Sequence, residues 1–147
     1  MATQQELDKC YMAVAEAHAE LSKAERKKVG ACLVTPSGTI LAGVNGMAPS
    51  GSNILEIIED GALVTKEQVI HAELSCILRA AREGVSVEGS TLYVTLSPCL
   101  RCSEMIAAAG VKRVVWKESY RDPSGLINLD NLGIGVEKYE EVETFGS

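Results

Sequence analysis

The amino-acid sequence predicts a three-layer α/β/α sandwich with a mixed, mostly parallel sheet of about five strands. Two observations lead to this prediction. Residues 29–45 have the pattern of two short strands around a tight turn, which is typical of a β-hairpin. Later segments alternate strand, helix and strand with short connections, and such units pair in parallel through right-handed crossovers. The length of 147 residues suits one domain, so we expect a single domain over residues 1–147.

The N-terminal half is predicted to contain a first helix, the hairpin and a short second helix. Residues 3–24 include a helical stretch with apolar side chains near helical spacing. The segments "VGACLVT" (29–35) and "TILAGVN" (39–45) are the two strands, and "PSG" is the turn between them. A loop follows at 46–53. The run "ILEIIEDG" (54–61) predicts a short helix that ends at Gly61, and the pattern of residues 62–68 is ambiguous.

The C-terminal half is predicted to alternate helices and strands. A helix from about Val69 stops near Gly84, and the β-branched run "STLYVTL" (90–96) indicates a strand. A second helix, from about Cys99, ends before Gly110, a residue type typical of the position after a helix. The segment "VKRVVWK" (111–117) is the next strand. The tail from Pro123 to residue 143 suggests a short helix and a last strand.

Composition excludes several classes of protein. The chain contains no apolar run of 18 residues, and its first ten residues lack the apolar centre of a signal peptide. Five cysteines, an odd number, are typical of a reducing cytosol, so we expect a cytoplasmic protein with free thiols. The net charge of −6 disfavours binding to a nucleic-acid backbone. We expect no membrane and no nucleic-acid partner, whereas a small anionic substrate remains compatible with a few local cations.

Three side chains with metal-binding chemistry stand at the predicted starts of two helices. His71 begins one helix, and Cys99 and Cys102 begin the next. The two cysteines are three residues apart, which places them about 60° apart around a helix, so both can reach one ion. One nitrogen and two thiolates make three protein ligands. A structural zinc is normally closed by four, whereas a catalytic zinc keeps one position for water.

Glu73 suits the catalytic interpretation. Residues two apart point about 200° apart on a regular helix, so His71 and Glu73 converge only near the first turn, with the metal off the helix end. The partial positive charge of a helix N-terminus favours thiolate and carboxylate there. A carboxylate beside an activated water can take its proton and pass it on. Glu73 is then a proton shuttle for attack on a ring carbon with loss of ammonia.

Two simpler interpretations of these residues stay open. The pair Cys99 and Cys102 alone is also the spacing of a redox dithiol or of half a structural zinc site. A zinc-stabilised binding module would need a fourth protein ligand and would have no use for Glu73.

The motif "HAE" followed by "PCLRC" resembles the zinc-dependent nucleobase deaminases, whose signature pairs H-x-E with P-C-x-x-C. The stretches "SKAERKKVGACLV", "GVNGMAPSG", "VIHAELSCIL" and "LYVTLSPCLRCSEMIAAAGVKRVVW" further resemble the deoxycytidylate (dCMP) deaminase family over about residues 22–116. This resemblance implies a cytidine-deaminase-like fold, a homo-oligomer (favouring a hexamer) and zinc-dependent conversion of dCMP to dUMP. It also implies activation by dCTP and inhibition by dTTP, with Mg²⁺ accompanying the triphosphate.

The resemblance also implies roles for individual residues. His71, Cys99 and Cys102 are implied to hold zinc, and Glu73 to shuttle protons. The Ala72 N–H and the Ser97 C=O are implied to contact the edge of the pyrimidine, and Asn45 to contact the sugar. Arg26, with Lys23 or Lys28, is implied to contact the 5′-phosphate. Tyr120 and Arg121 are implied to make stacking and phosphate contacts. A regulatory nucleotide is expected at the loop from Gly43 to Asn53, namely Gly43, Asn45, Gly46, Ser50, Gly51 and Asn53.

Two other substrates remain alternatives. Deaminases that act on tRNA adenosine tend to read "TLEPC" with a methionine before the second cysteine, and they need a basic surface. This chain reads "TLSPC" with Arg101 and is acidic, which favours a small substrate. Free cytidine or another amino-heterocycle is the second alternative, and the basic stretch "ERKK" favours a phosphorylated one.

Overall fold

The computed structural model describes residues 1–49 and 51–141, and its main feature is a five-stranded mixed sheet with the strand order β2-β1-β5-β6-β7. A separate two-stranded sheet pairs β3 with β4. In chain order the elements are α1 (Gln4–Ala19), β1 (Gly30–Val34), β2 (Ile40–Val44), β3 (Glu56–Glu59), β4 (Ala62–Thr65), α2 (Ala72–Glu83), β5 (Thr91–Leu96), α3 (Leu100–Ala108), β6 (Arg113–Glu118), α4 (Ser124–Asn131) and β7 (Gly135–Lys138).

The sheet is mixed, as predicted, and four of its five strands run in the same direction. The β1–β2 and β1–β5 pairs are antiparallel, and the β5–β6 and β6–β7 pairs are parallel. The crossover helices α3 and α4 connect the three adjacent parallel strands β5, β6 and β7. The hairpin strand β1 joins this parallel half in the opposite direction.

Helices cover both faces of the sheet and complete the three predicted layers. On one face, Met12 and Ala15 of α1 pack against Cys32, Tyr93 and Val115. The other face packs against α2, α3 and α4 around a larger core. None of the helices in the described residues is long and apolar enough to cross a membrane.

An ionic cluster ties α1 to the interior strands β5 and β6. The Arg113 guanidinium donates to both carboxylate oxygens of Asp8, at 3.0 and 2.8 Å, and the Tyr93 hydroxyl donates to Asp8 at 2.6 Å. The side chains of Asp8 and Arg113 are only 15% and 17% exposed. This buried pair therefore contributes to holding α1 on the sheet.

Residues 54–61 do not form the predicted short helix. Instead β3 and β4 form a hairpin whose two-residue loop is Asp60 and Gly61, with φ angles of 49° and 76°. Positive φ at both central residues is the signature of a type I′ turn, for which Asp-Gly is a preferred sequence. The short apolar run "ILEII" fits either a helix or a strand, so the turn rather than the run decides the structure.

Candidate metal centre and active site

The predicted metal ligands lie at the N-termini of α2 and α3, as the sequence indicated. His71 is the N-cap residue of α2 and Cys99 is the N-cap residue of α3, both with extended backbone. N-cap side chains usually accept a hydrogen bond from their own helix. Neither His71 nor Cys99 does so. Instead, the His71 ring nitrogen lies close to the sulfur atoms of Cys99 and Cys102 at the start of the other helix.

The three donor atoms form a compact group. Nδ1 of His71 lies 3.2 Å from Sγ of Cys102 and 3.7 Å from Sγ of Cys99, and all three atoms lie within 4.8 Å of one another. Bond lengths of ~2.3 Å to sulfur and ~2.0 Å to nitrogen place the ligands of a tetrahedral zinc roughly 3.6–3.8 Å apart. One imidazole and two thiolates are also ligands that suit zinc better than Mg²⁺ or Ca²⁺. The donor set therefore fits a zinc ion.

A fourth protein ligand does not complete this group within residues 1–49 and 51–141. His71, Cys99 and Cys102 are the members of the group, and the Glu73 carboxylate is not one of them. Three protein ligands are the number found in catalytic zinc sites, whereas structural sites normally have four.

The charge of the group is set by hydrogen bonds between its members. Hydrogen bonds from Cys102 and His71 lower the pKa of the Cys99 thiol, which favours a thiolate in the group. The same bond to Cys99, together with burial, raises the pKa of Cys102. The bond to Cys99 also raises the pKa of His71. A negative sulfur is thus already present to attract a cation.

Glu73 lies in the first turn of α2 and is almost fully buried, with 4% of its surface exposed. Burial is the main cause that raises the pKa of its carboxyl group to about 7. The close packing of α2 on the sheet contributes to this burial. A Cβ atom at Gly43 of β2 would lie 2.8 Å from the Ala72 carbonyl oxygen, so only glycine allows this approach.

A cavity of about 310 Å³ opens beside the donor group. The residues that line it include His71, Glu73 and Cys99 and five residues that the sequence pointed to: Arg26, Asn45, Ala72, Ser97 and Tyr120. Arg121 is exposed and is not among the lining residues. Lys27 lines the cavity, whereas Lys23 and Lys28 do not.

Asn45 fixes the loop that carries the basic residues. Its side-chain oxygen accepts from the Val29 N–H at 2.9 Å, and its amide donates to the Lys27 carbonyl at 2.8 Å. Both halves of the amide are therefore bonded to the backbone of residues 27–29. Ser97 has a similar role on the opposite side, because its hydroxyl accepts from the Tyr120 N–H at 2.6 Å.

The glycine-rich segment has structural contacts that the sequence did not predict. The N–H of Gly46 donates to the Ile70 carbonyl and the N–H of Ile70 donates to the Gly46 carbonyl, at 3.0 and 2.7 Å. This pairing fixes the chain immediately before His71. Gly51 and Asn53 are exposed, and Ser50 lies outside the described residues.

Sequence reasoning missed the wall of the cavity that the β3–β4 hairpin provides. Glu56 and Thr65, paired opposite each other in the hairpin, line the cavity together with Leu55. The Asp60-Gly61 dipeptide was the available signal for this hairpin.

The metal loop is also supported from α4. A Cβ atom at Gly125 would lie 2.1 Å from the Pro98 carbonyl oxygen and 2.7 Å from the Cys99 carbonyl carbon. The helix backbone therefore packs directly on the residues that precede α3. Asn128, one turn later, donates to the Ser103 hydroxyl at 3.0 Å and joins α4 to α3.

Comparison with known protein families identifies the chain. Residues 5–118 match the model of the cytidine and deoxycytidylate deaminase zinc-binding region. The chain belongs to the cytidine and deoxycytidylate deaminase family. The matched region contains the three donor residues, Glu73 and most of the cavity wall.

Several members of this deaminase family are similar to the chain. Deoxycytidylate deaminase of Enterobacteria phage T2 is 59% identical over 69 residues, which are 46% of this chain but only 37% of that enzyme. The enzyme of Mycobacterium phage D29 is 38% identical over 125 residues, covering 76% of this chain and 95% of the phage protein. The human enzyme is 37% identical over 119 residues, or 76% of this chain and 65% of its own length.

Solved structures of other proteins have the same fold. The dCMP deaminase of cyanophage S-TIM5, in complex with dCMP and dUMP, superimposes with a TM-score of 0.86 and 39% identity over 94% of this chain and 100% of the other. A structure from a study of tRNA:A34 deaminases has a TM-score of 0.62 at 20% identity, covering 89% of this chain and 98% of the other. The second similarity is one of fold alone. The cytidine-deaminase-like α/β fold is therefore confirmed.

Proposed function

We propose that the chain catalyses the zinc-dependent hydrolytic deamination of dCMP to dUMP and ammonia. The observation that carries this proposal is a group of one imidazole nitrogen and two sulfurs, with a buried carboxylate beside them, at the edge of a cavity of about 310 Å³. The similarity to dCMP deaminases over most of the chain supports it.

His71, Cys99 and Cys102 would hold the zinc ion. When bound, zinc supplies a Lewis acid that makes water acidic enough to lose a proton near neutral pH. The reaction adds the oxygen of water to C4 of the pyrimidine ring and breaks the bond between C4 and its amino nitrogen, which leaves as ammonia.

Glu73 is the proton carrier in this proposal. Its carboxylate accepts a proton from the attacking water and delivers it to ring N3, and it then transfers the second proton to the departing amino group. Its position in the first turn of α2, next to His71, allows one carboxylate to reach both the water and the ring.

The cavity wall is suited to orient a pyrimidine nucleotide. The first N–H groups of a helix have no partner within the helix, so the Ala72 N–H at the start of α2 can donate to the ring edge. The Ser97 carbonyl would accept from the amino group, and Asn45 would border the sugar. Arg26, supported by Lys27, would contact the 5′-phosphate, and Tyr120 would stack on the base. Arg121 does not line the cavity, so its contact with the phosphate stays a prediction from the family resemblance.

Ammonia release from dCMP, deoxycytidine, cytidine monophosphate and a tRNA anticodon stem-loop, measured side by side, tests the substrate. We expect dCMP to be preferred. The cavity volume of about 310 Å³ and the net charge of −6 both favour a small nucleotide over RNA. A preference for the unphosphorylated nucleoside would remove the role of Arg26. A preference for the stem-loop would replace the proposal with a tRNA adenosine deaminase.

We further propose that the chain forms a homo-oligomer (a hexamer is favoured) in the cytoplasm and is regulated by dCTP and dTTP with Mg²⁺. The basis is the family resemblance. Exposed large side chains on the helices of one face support self-association, namely Leu78, Leu100, Met105 and Ile127. Sedimentation equilibrium tests the assembly. The dCMP assay with each triphosphate, with and without Mg²⁺, tests regulation, and unchanged rates would remove it.

A further inference from the structure

The β3–β4 hairpin holds the backbone of the loop that carries Arg26. Glu56, the first residue of β3, is only 7% exposed although its side chain is charged. One of its oxygens, Oε2, accepts hydrogen bonds from the N–H groups of both Glu25 and Arg26, at 2.8 and 2.9 Å. A buried carboxylate costs free energy unless such bonds compensate it, so this contact fixes the loop strongly.

The same hairpin also holds the side chain of Arg26. Thr65 lies directly opposite Glu56 in the register of β3 and β4. Its hydroxyl oxygen accepts from Nη1 of Arg26 at 3.1 Å. One cross-strand pair therefore fixes Arg26 twice, once by its backbone and once by its guanidinium group, and we refer to Glu56 and Thr65 as the anchoring pair.

The anchoring pair orients the guanidinium without neutralising it. Among the residues that the structure describes, no carboxylate lies within 4.0 Å of the Arg26 side chain, whereas the neighbouring Lys27 is paired with Glu118 at 2.5 Å. A threonine hydroxyl is neutral and occupies one of the five N–H donors of an arginine. The charge and the other donors of Arg26 remain for an anion in the cavity.

We propose that Glu56 and Thr65 are positioning residues that hold Arg26 ready for the 5′-phosphate and so determine the preference for a nucleotide over a nucleoside. This inference rests on the proposed function, because it assumes a pyrimidine nucleotide in the cavity. Preorganisation reduces the entropy that a long arginine side chain loses on binding. The anchoring pair thus acts on phosphate affinity rather than on the chemistry at Glu73.

The geometry at Glu56 predicts which substitutions preserve this role. Because a single oxygen accepts both N–H groups, the carbonyl oxygen of a glutamine can replace it. Glu56→Gln should therefore retain the loop, whereas Glu56→Ala leaves two N–H groups without their partner. Thr65→Val removes the hydroxyl but keeps the shape and the β-branched character that a strand favours.

Calorimetric titration of the zinc-loaded protein with dUMP and with deoxyuridine tests the inference. We expect Glu56→Ala to weaken dUMP binding about ten-fold, which is the effect of losing one hydrogen bond to a charged group. Thr65→Val should weaken it by about three-fold to ten-fold. Deoxyuridine affinity should change by less than about two-fold in both variants, because the nucleoside lacks the group that Arg26 contacts. Glu56→Gln should restore most of the dUMP affinity.

Glu59→Ala is the matched control, since Glu59 is a glutamate on the same strand but is exposed and does not line the cavity. It should leave both affinities unchanged. Equal losses for dUMP and deoxyuridine would overturn the inference, because they would indicate a general effect on the fold. A wild-type protein that binds both ligands equally would overturn it as well. If Glu56→Ala does not fold, Thr65→Val decides the outcome.

The proposed activity and this inference fail separately. A protein that binds dUMP with the expected dependence on Thr65 but releases no ammonia from dCMP would refute the deaminase activity and support the anchoring pair. A protein that deaminates dCMP but whose dUMP affinity is unchanged by both substitutions would support the deaminase activity and refute the role of the anchoring pair.

Discussion

Gly125→Ala is expected to disturb the metal centre from outside it. The added Cβ atom would lie 2.1 Å from the Pro98 carbonyl oxygen and 2.8 Å from that of Cys99. An ordinary contact needs roughly 3.5 Å, so α4 or the loop before α3 must move by more than about 1 Å. Metal sites tolerate deviations of only about 0.2 Å in their ligand distances. The Cys99 thiolate would therefore be displaced.

Overpacking of this kind costs about 1–3 kcal/mol of unfolding free energy, and disturbed support of a ligand typically costs about 10–100-fold in metal affinity. Competition with a chromogenic chelator measures zinc affinity, and denaturant unfolding of the metal-free protein measures stability. Gly135→Ala is the control, because the nearest atom to its added Cβ is at an ordinary 3.6 Å. Zinc affinity and turnover equal to wild type in Gly125→Ala would refute the reasoning.

Two further predictions concern the scaffold. Asp8→Ala should lower the free energy of unfolding by about 2 kcal/mol, because it removes the hydrogen bonds that Asp8 accepts from Arg113 and Tyr93, while Arg113 keeps its pair with Glu137 at 2.6 Å. Burial favours a higher pKa for Asp8, but the hydrogen bonds from Arg113 and Tyr93 outweigh it and lower the pKa. The stabilisation is therefore complete above the usual pKa of about 4 and is lost as the pH falls through the lowered value. Denaturant unfolding between about pH 7 and about pH 3 should show wild type and variant converging in acid, and a constant difference would contradict this. Gly61→Ala places a side chain at φ 76°, which costs about 1 kcal/mol of unfolding free energy. The substitution should weaken dUMP binding because it loosens the hairpin that holds Arg26. An unchanged calorimetric affinity for dUMP would contradict this connection between the hairpin and Arg26.

The close grouping of the three donor residues was predictable from the sequence because these residues are local to two helix starts. His71 with Glu73, and Cys99 with Cys102, each occupy a single turn, so their spacing alone limits how they can be arranged. The three layers followed from the order of strands and helices. The direction of β1 relative to β5 was harder to predict, since it depends on where a hairpin joins the sheet rather than on any local sequence pattern.

The substrate side of the cavity was less predictable. Glu56 lies in a run that was interpreted as helix, and its burial depends on contact with a loop 30 residues away. The choice of Lys27 over Lys23 or Lys28 likewise depends on the loop conformation that Asn45 imposes. Charged residues in an exposed run have no periodicity that indicates which of them faces a cavity.

The central claim is that Glu73 moves protons beside a zinc ion that it does not hold. Zinc content and ammonia release from dCMP, measured on wild type, Glu73→Gln and the control Glu83→Gln, test this claim most directly. Glu83 lies at the exposed C-terminal end of the same helix. Glu73→Gln should retain the zinc content of wild type while ammonia release falls by about 10²–10⁴-fold. Zinc-loaded Glu73→Gln that releases ammonia at the wild-type rate would contradict the claim.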